Sequence, residues 1–230
     1  MEKTEKRKGL NKLTLQIIAM ATMLIDHIGV ALVPVPLLRY IGRLAFPIFA
    51  YFIAEGFART GSFKKYLLRM ALFAVISEIP FNLVAGGTLF YFPHQNVMFT
   101  FCIALLCLLW LDKLRQRHEG TLLWAVDVVL VCLVGYAAGY LLHVDYGGRG
   151  ILLVIGFSLC RELSGYYRYG GELLCMALFA IVKPQALLSL PLIWLYDGEQ
   201  GPHNKVIQYA CYAFYPAHLL IIGLIAQMIR

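Results

Sequence analysis

Leu13–Val33 is a run of apolar and small residues long enough to cross a bilayer, and two ionisable residues, Asp26-His27, interrupt it. About 20 residues at a helical rise suffice to span the hydrocarbon layer. An aspartate in the middle of such a helix costs roughly 2.5–3.5 kcal/mol on insertion scales. An acid retained there marks a candidate functional site, and a partner for it has to be sought elsewhere in the chain.

The rest of the sequence continues in the same style. Of 230 residues 60% are hydrophobic and 14% charged, against about 25% charged in a soluble domain. The chain therefore reads as an all-α, polytopic integral membrane protein. Its first apolar segment is full length and more follow, so it is read as a retained span and not as a cleaved leader. One membrane domain, residues 13–230, follows a basic cytoplasmic tail, residues 1–12. The formal charge of +7 is spread over alternate loops: Lys3, Lys6, Arg7, Lys8 and Lys12, then Arg59, Lys64, Lys65 and Arg69, then Lys113, Arg115 and Arg117. That alternation is the positive-inside pattern and puts the N-terminus in the cytoplasm. It explains the basic excess without a nucleic-acid partner. The six cysteines all fall in apolar segments with no C-x-x-C pair, which suits small buried hydrophobes.

Spans are expected near Leu13–Val33, Leu38–Phe57, Tyr66–Ala85, Val97–Leu114, Leu122–Leu142, Gly150–Leu163 and Val206–Ile229. Between the last two, Glu172–Val182 and Gln185–Tyr196 flank Lys183-Pro184, each short for a crossing. They form two thin spans or one re-entrant hairpin, the latter only if protein surrounds it. The expected bundle thus has seven to nine spans, including a broken or re-entrant pair, and its C-terminus lies outside.

This topology turns sequence position into depth. Asp26 and His27, Arg39 and Arg43, Glu78 and Asn82, His94, Gln95 and Asn96, and His143 and Asp145 all fall in the outer half. They come from five segments. Arg39 and Arg43, four apart, share a helix face. Arg39 suits an interface anchor whose head snorkels to the surface. Arg43 lies deeper and needs Asp26 or Glu78 as a partner. Glu55, near the inner end of the second span, is either a helix-end charge or a ligand contact. His218 stands in the middle of the final span, in Tyr215-Pro216-Ala217-His218, where the proline is expected to break the helix. Asp127 reads as a structural hydrogen-bonder.

Three chemistries fit Asp26-His27. His27 can act as a general base on an amine or hydroxyl, with its ring oriented by a carboxylate other than its neighbour. The pair can relay protons in a transporter. With His94 and His143 it can bind a metal, but the i, i+4 histidine spacing is missing, and no metal is expected.

Several motifs in order resemble the TraX family, named for a conjugative pilin N-acetylase. They are Met23-Leu24-Ile25-Asp26-His27-Ile28-Gly29, Gly42–Phe49 continuing to Glu55-Gly56-Phe57, Tyr66–Arg69, Ile79-Pro80-Phe81-Asn82, Asn96–Thr100, Asp145-Tyr146-Gly147 and Phe214–Leu219. The resemblance covers almost the whole chain. It implies a membrane acyltransferase, similar to the wider superfamily of that name, in the inner membrane of a bacterium. The donor would be acetyl-CoA, arriving from the cytoplasm. The acceptor would be an extracytoplasmic amine or hydroxyl, on a pilin N-terminus or a cell-surface glycan. It implies His27 as catalytic base, with Asp26, Arg43 and Glu78 in the catalytic group and Arg43 or Asn96 facing the oxyanion. Glu55, Asn82, His94, Asn96, Asp145, Tyr215 and His218 are the expected substrate- or donor-binding residues. The superfamily often carries a basic residue eleven positions before the histidine, where this chain has Gln16. That departure moves the expected donor contact to inner-face bases such as Arg59 or Arg69. The competing class is a proton-coupled transporter that uses the same buried acids and histidines.

Overall fold

Capping side chains start several helices at the membrane edges. The Asn11 side chain accepts the Thr14 amide at 3.0 Å and opens α1, Lys12–Ala31. Ser62 caps α4, Phe63–Ala85, and Asn96 accepts the Met98 amide at the start of α5, Val97–His118. Each cap satisfies one of the amides that a helix N-terminus leaves without an intrahelical partner. The remaining elements are α2 (Pro36–Gly42), α3 (Ala45–Arg59), α6 (Leu122–Leu141), α7 (Gly147–Cys160), α8 (Gly165–Ala180), a 3-10 turn (Pro184–Leu188) leading into α9 (Ser189–Trp194), and α10 (Lys205–Ile229). This is a computed structural model that describes residues 9–202 and 204–229, and among them there is no strand. Residues 1–8 of the expected basic tail lie outside the described residues.

Among the described residues six helical segments are long and apolar enough to cross a membrane: α1, α2–α3, α4, α5, α6 and α10. The shorter α7 occupies the middle, against α3, α5, α6 and α8. Eight of its residues are buried, including Ile151, Leu153, Val154, Ile155 and Phe157. A helix that is apolar all round belongs in such a position. Peripheral α6 buries only Val131, Gly135 and Gly139 and turns many of its other apolar side chains outward, as a lipid-facing helix does. A Cβ on Gly139 would stand 2.7 Å from the backbone of Gly147 and Gly148. Small residues therefore let α6 and α7 meet backbone to backbone, a common membrane packing mode.

The short pair folds as α8 and, after a turn, the 3-10 turn with α9. Its turn, at Lys183, lies over the Tyr146 ring at the outer end of α7 (4.7 Å). Its exit, Tyr196, is bridged to Leu10 at the inner end of α1. Two expected details change. The second span breaks at Arg43-Leu44, so that α2 and α3 are separate helices. The last helix does not break at Pro216 and runs continuously from Lys205 to Ile229. Proline removes only its own amide there. In lipid, opening more of the ladder would cost far more than losing that one bond.

Candidate functional site

On α1 the residues Met23, Asp26, His27 and Val30 line one side of an outer cavity of about 170 Å³. Their i, i+3, i+4, i+7 spacing puts them on one helix face. Arg39 and Arg43 enter from α2 and its broken end, and Phe46 and Phe49 from α3. Asp145 and Tyr146 come from the loop before α7, and Tyr215 from α10. Arg39 donates to Asp26 Oδ2 at 2.7 Å, so the partner of Asp26 is the arginine expected to anchor at the interface, not Arg43. Asp26 Oδ1 is buried without a hydrogen-bond donor. The carboxylate can sit there because position 42 has no side chain: a Cβ on Gly42 would fall 2.2 Å from Asp26 Cβ and 2.3 Å from Oδ1. Arg43, freed from the helix by the break, is directed at the Tyr146 hydroxyl.

The loop that supplies Asp145 and Tyr146 is tied down. Gln95 N donates to His143 O at 2.9 Å, Asp145 N donates to Gln95 O at 2.8 Å, and the Thr100 hydroxyl donates to the Asp145 carbonyl. Tyr146 has φ +63°, a left-handed conformation that costs a non-glycine residue energy and often marks a functional site. It is held by stacking on Phe46, 3.8 Å between centroids. Outside the helices, burial pushes the Asp145 carboxyl up from the usual carboxylate range, against the pull of Lys183. Burial also pushes the Lys183 ammonium down, with Arg43 adding to the effect and Asp145 opposing it.

The imidazole of His27 is oriented by another imidazole. His218 Nδ1 lies 2.7 Å from the Phe214 carbonyl, and His218 Nε2 lies 2.9 Å from His27 Nδ1. A carbonyl only accepts, so His218 carries its proton on Nδ1 and, when neutral, has an accepting Nε2. His27 must then hold its proton on Nδ1. This leaves His27 Nε2 as the basic nitrogen of a ring that borders the cavity. A carboxylate was expected in this orienting position; the structure puts His218 there.

Other expected residues stand elsewhere. Glu78 Oε2 accepts from Asn96 Nδ2 at 2.6 Å, and the same amide donates to Ala74 O at 2.8 Å. Asn96 is fully buried, and neither residue lines the cavity. Asn82 donates to Leu89 O at 3.1 Å and holds the loop after α4. His94 is exposed, with Tyr91 as its ring neighbour. Glu55 lies toward the opposite end of the bundle, between Arg161 (3.0 Å) and Arg59 (2.8 Å). Asp127 meets His118 at 2.5 Å.

A second, inner cavity of about 280 Å³ reaches the side where the N-terminus lies. Lys12, Arg59 and Arg69 line it together with Gln16, Gln200 and Gln208, and no acid does. Among the described residues neither Lys12 nor Arg69 has a carboxylate within ion-pair distance; Arg59 is paired with Glu55. Basic walls without acids suit a phosphate-bearing ligand. Among the described residues no three His, Cys, Asp or Glu side chains are grouped to hold a metal. Sequence reasoning missed the roles of Arg39, Tyr146 and Phe46 at the outer cavity. The Asp145-Tyr146-Gly147 motif was visible, but nothing in it announced that the ring would stack on Phe46.

The profile of a family described as "TraX protein" matches residues 11–226. The chain is 27% identical over 236 aligned positions to the "Probable fimbrial assembly protein FimC, serogroup H1" of Dichelobacter nodosus, covering 90% of this chain and 92% of the relative. No solved structure matches it.

Proposed function

This chain belongs to the TraX family, and on that premise we propose that it is a membrane acyltransferase. It moves an acetyl group from cytoplasmic acetyl-CoA to an amine or hydroxyl on the extracytoplasmic side. The observation that carries this reading is the proton order along Phe214, His218 and His27, which leaves a basic His27 Nε2 at a partly charged cavity. The inner cavity supports the donor's side of the reaction, because its basic, acid-free lining, with Lys12 and Arg69 outside any ion pair among the described residues, suits the phosphates of coenzyme A.

The reaction follows from the groups present. Acetyl-CoA phosphates lodge among Lys12, Arg59 and Arg69, and the thioester is carried outward to His27. An acceptor arriving as an ammonium is drawn by Asp145 and gives up one proton to solvent, so that it attacks as the neutral amine. His27 Nε2 takes the proton from the attacking nitrogen or oxygen as it bonds to the thioester carbon. Arg39 is committed to Asp26, so Arg43 is the cation available for the developing oxyanion. Collapse breaks the carbon–sulfur bond, and His27 returns the proton to the leaving sulfur. Coenzyme A departs as the free thiol. His218 holds the tautomer throughout and is a positioning residue.

The family is named for a pilin N-acetylase, and the Dichelobacter nodosus relative carries a name that speaks of fimbrial assembly. Both support a pilin-type N-terminal amine as acceptor and a bacterial inner membrane as the location, with glycan hydroxyls as the other acceptor class. The test uses protein purified into lipid nanodiscs, labelled acetyl-CoA and a peptide with a free N-terminus. Label should move to the peptide, and His27→Ala should lower kcat by about 10²–10⁴-fold. Full turnover by His27→Ala would refute the base assignment. Two cavities that share wall residues inside the bundle also suit a proton-coupled transporter. Proton-dependent solute uptake into liposomes, with no label moved from any acyl donor, would favour that reading.

A further inference from the structure

The two cavities share two wall residues, Phe49 of α3 and Phe101 of α5. Met20 borders only the inner cavity and Met23, one turn on, only the outer one. These two rings stand at the boundary of the basic inner chamber and the chamber that holds His27, so a group moving from one to the other would pass them. We propose that Phe49 and Phe101 form an acyl-size filter that admits a short acyl group to the base and holds back longer ones. The proposal rests on the acyl-transfer reading above and names the residues that would set its donor preference.

The two rings differ in freedom. Phe101 is 4% exposed and lies parallel to Phe46, 5.7 Å between centroids. Phe46 is itself held by contacts with Tyr146 and Phe179. Phe101 is thus a fixed face, built into the stack that also holds the strained Tyr146. Phe49 is only partly buried and has no ring partner among the described residues. It is the adjustable side of the passage. Beyond the rings the outer cavity holds about 170 Å³. Its apolar walls, Val30, Phe81 and Val84, give way to Asp26, Arg39, Arg43 and Asp145. A long alkyl chain pushed past the rings would have to lie against those charges and displace whatever hydrates them, which is costly. A two-carbon acyl group offers its carbonyl oxygen to Arg43 and adds only one methyl group to the apolar walls.

The experiment compares acetyl-, butyryl- and octanoyl-CoA as donors for the same peptide acceptor, with full-length protein in nanodiscs. The readout is the ratio of kcat/KM for acetyl to that for each longer donor. The native protein should prefer acetyl. Phe49→Ala should lower the acetyl-to-butyryl ratio by about tenfold or more, since each methylene in an apolar pocket carries discrimination of that order. Phe49→Trp should raise it. Phe101→Leu serves where Phe101→Ala fails to fold, and should move the ratio in the same direction as Phe49→Ala. Transfer with unchanged ratios in Phe49→Ala and Phe101→Leu would overturn the filter and leave the acyltransferase reading intact. So would a native protein that uses octanoyl-CoA as well as acetyl-CoA. No transfer from any of the three donors would overturn both.

Discussion

His218 is a residue whose worth is its hydrogen-bond order. It touches no reacting atom in the proposed chemistry, yet it decides which nitrogen of His27 is basic. Replacing it by Leu removes the acceptor for His27 Nδ1–H, and the ring is then free to hold its proton on Nε2, where it cannot act as a base. The expected outcome is a drop in kcat of about 10²-fold with the KM for donor little changed. His218→Gln keeps an accepting oxygen on the side chain and should recover part of that loss. A merely structural role would not produce this split between Leu and Gln at equal thermal stability. The residue-level reading of the sequence had His27 and His218 as candidates, each from its own span. Their pairing was invisible because it joins positions 191 residues apart, and depth alone does not say which faces of two helices meet. The same gap explains Glu78 and Asn96. They were expected at the right level, and they bond to one another, but neither lines the cavity. Depth supplies one coordinate; the rotation of each helix about its axis supplies the others and depends on packing.

At the scale of elements, the site exists because α1 and α2 approach unusually closely. Gly42 faces Asp26, and a Cβ on Gly29 would stand 2.7 Å from Leu38 Cβ. Gly42→Ala therefore has no room. The methyl would displace the Asp26 carboxylate from Arg39 or push the helices apart, with an expected loss of about 1–3 kcal/mol as overpacking. Thermal unfolding in detergent should show it, and acyl transfer should fall with it. Gly61→Ala, where an added Cβ meets nothing within 4 Å, is the control and should change neither. An unshifted melting transition in Gly42→Ala would refute this account of the contact. The apolar runs of the long helices were legible because their length and composition permit little else in lipid. The α2–α3 break was not, since Gly42-Arg43-Leu44 contains no proline. The start of α8 was also missed. Tyr166-Tyr167-Arg168-Tyr169-Gly170-Gly171 has poor helix propensity, and what holds it is tertiary: Arg168 donates to the Tyr51 hydroxyl at 2.8 Å and to Glu172 at 3.0 Å, and Trp194 donates to Glu172 at 2.8 Å.

For the molecule as a whole, one helix ties the two chemistries together. The face of α1 that begins with Lys12 and Gln16 in the inner cavity continues through Met20 to Met23, Asp26 and His27 in the outer one. At 1.5 Å per residue, Lys12 and His27 are separated by about 22 Å along the axis. A donor held by its phosphates at one end therefore needs a long arm to present its reacting carbon at the other. This argument separates binding from chemistry and predicts that they can be damaged independently. Lys12→Gln and Arg69→Gln should each raise the KM for acetyl-CoA, with kcat close to native, because these side chains would hold a part of the donor that does not change during the reaction. Their combined loss should also flatten the dependence of donor binding on salt, since charges that lose their partner no longer respond to screening. Steady-state kinetics at two ionic strengths would measure both effects. If the double variant lowered kcat and left KM and its salt response untouched, the inner cavity would not be the donor's seat, and the direction of transfer assigned to this bundle would have to be reversed.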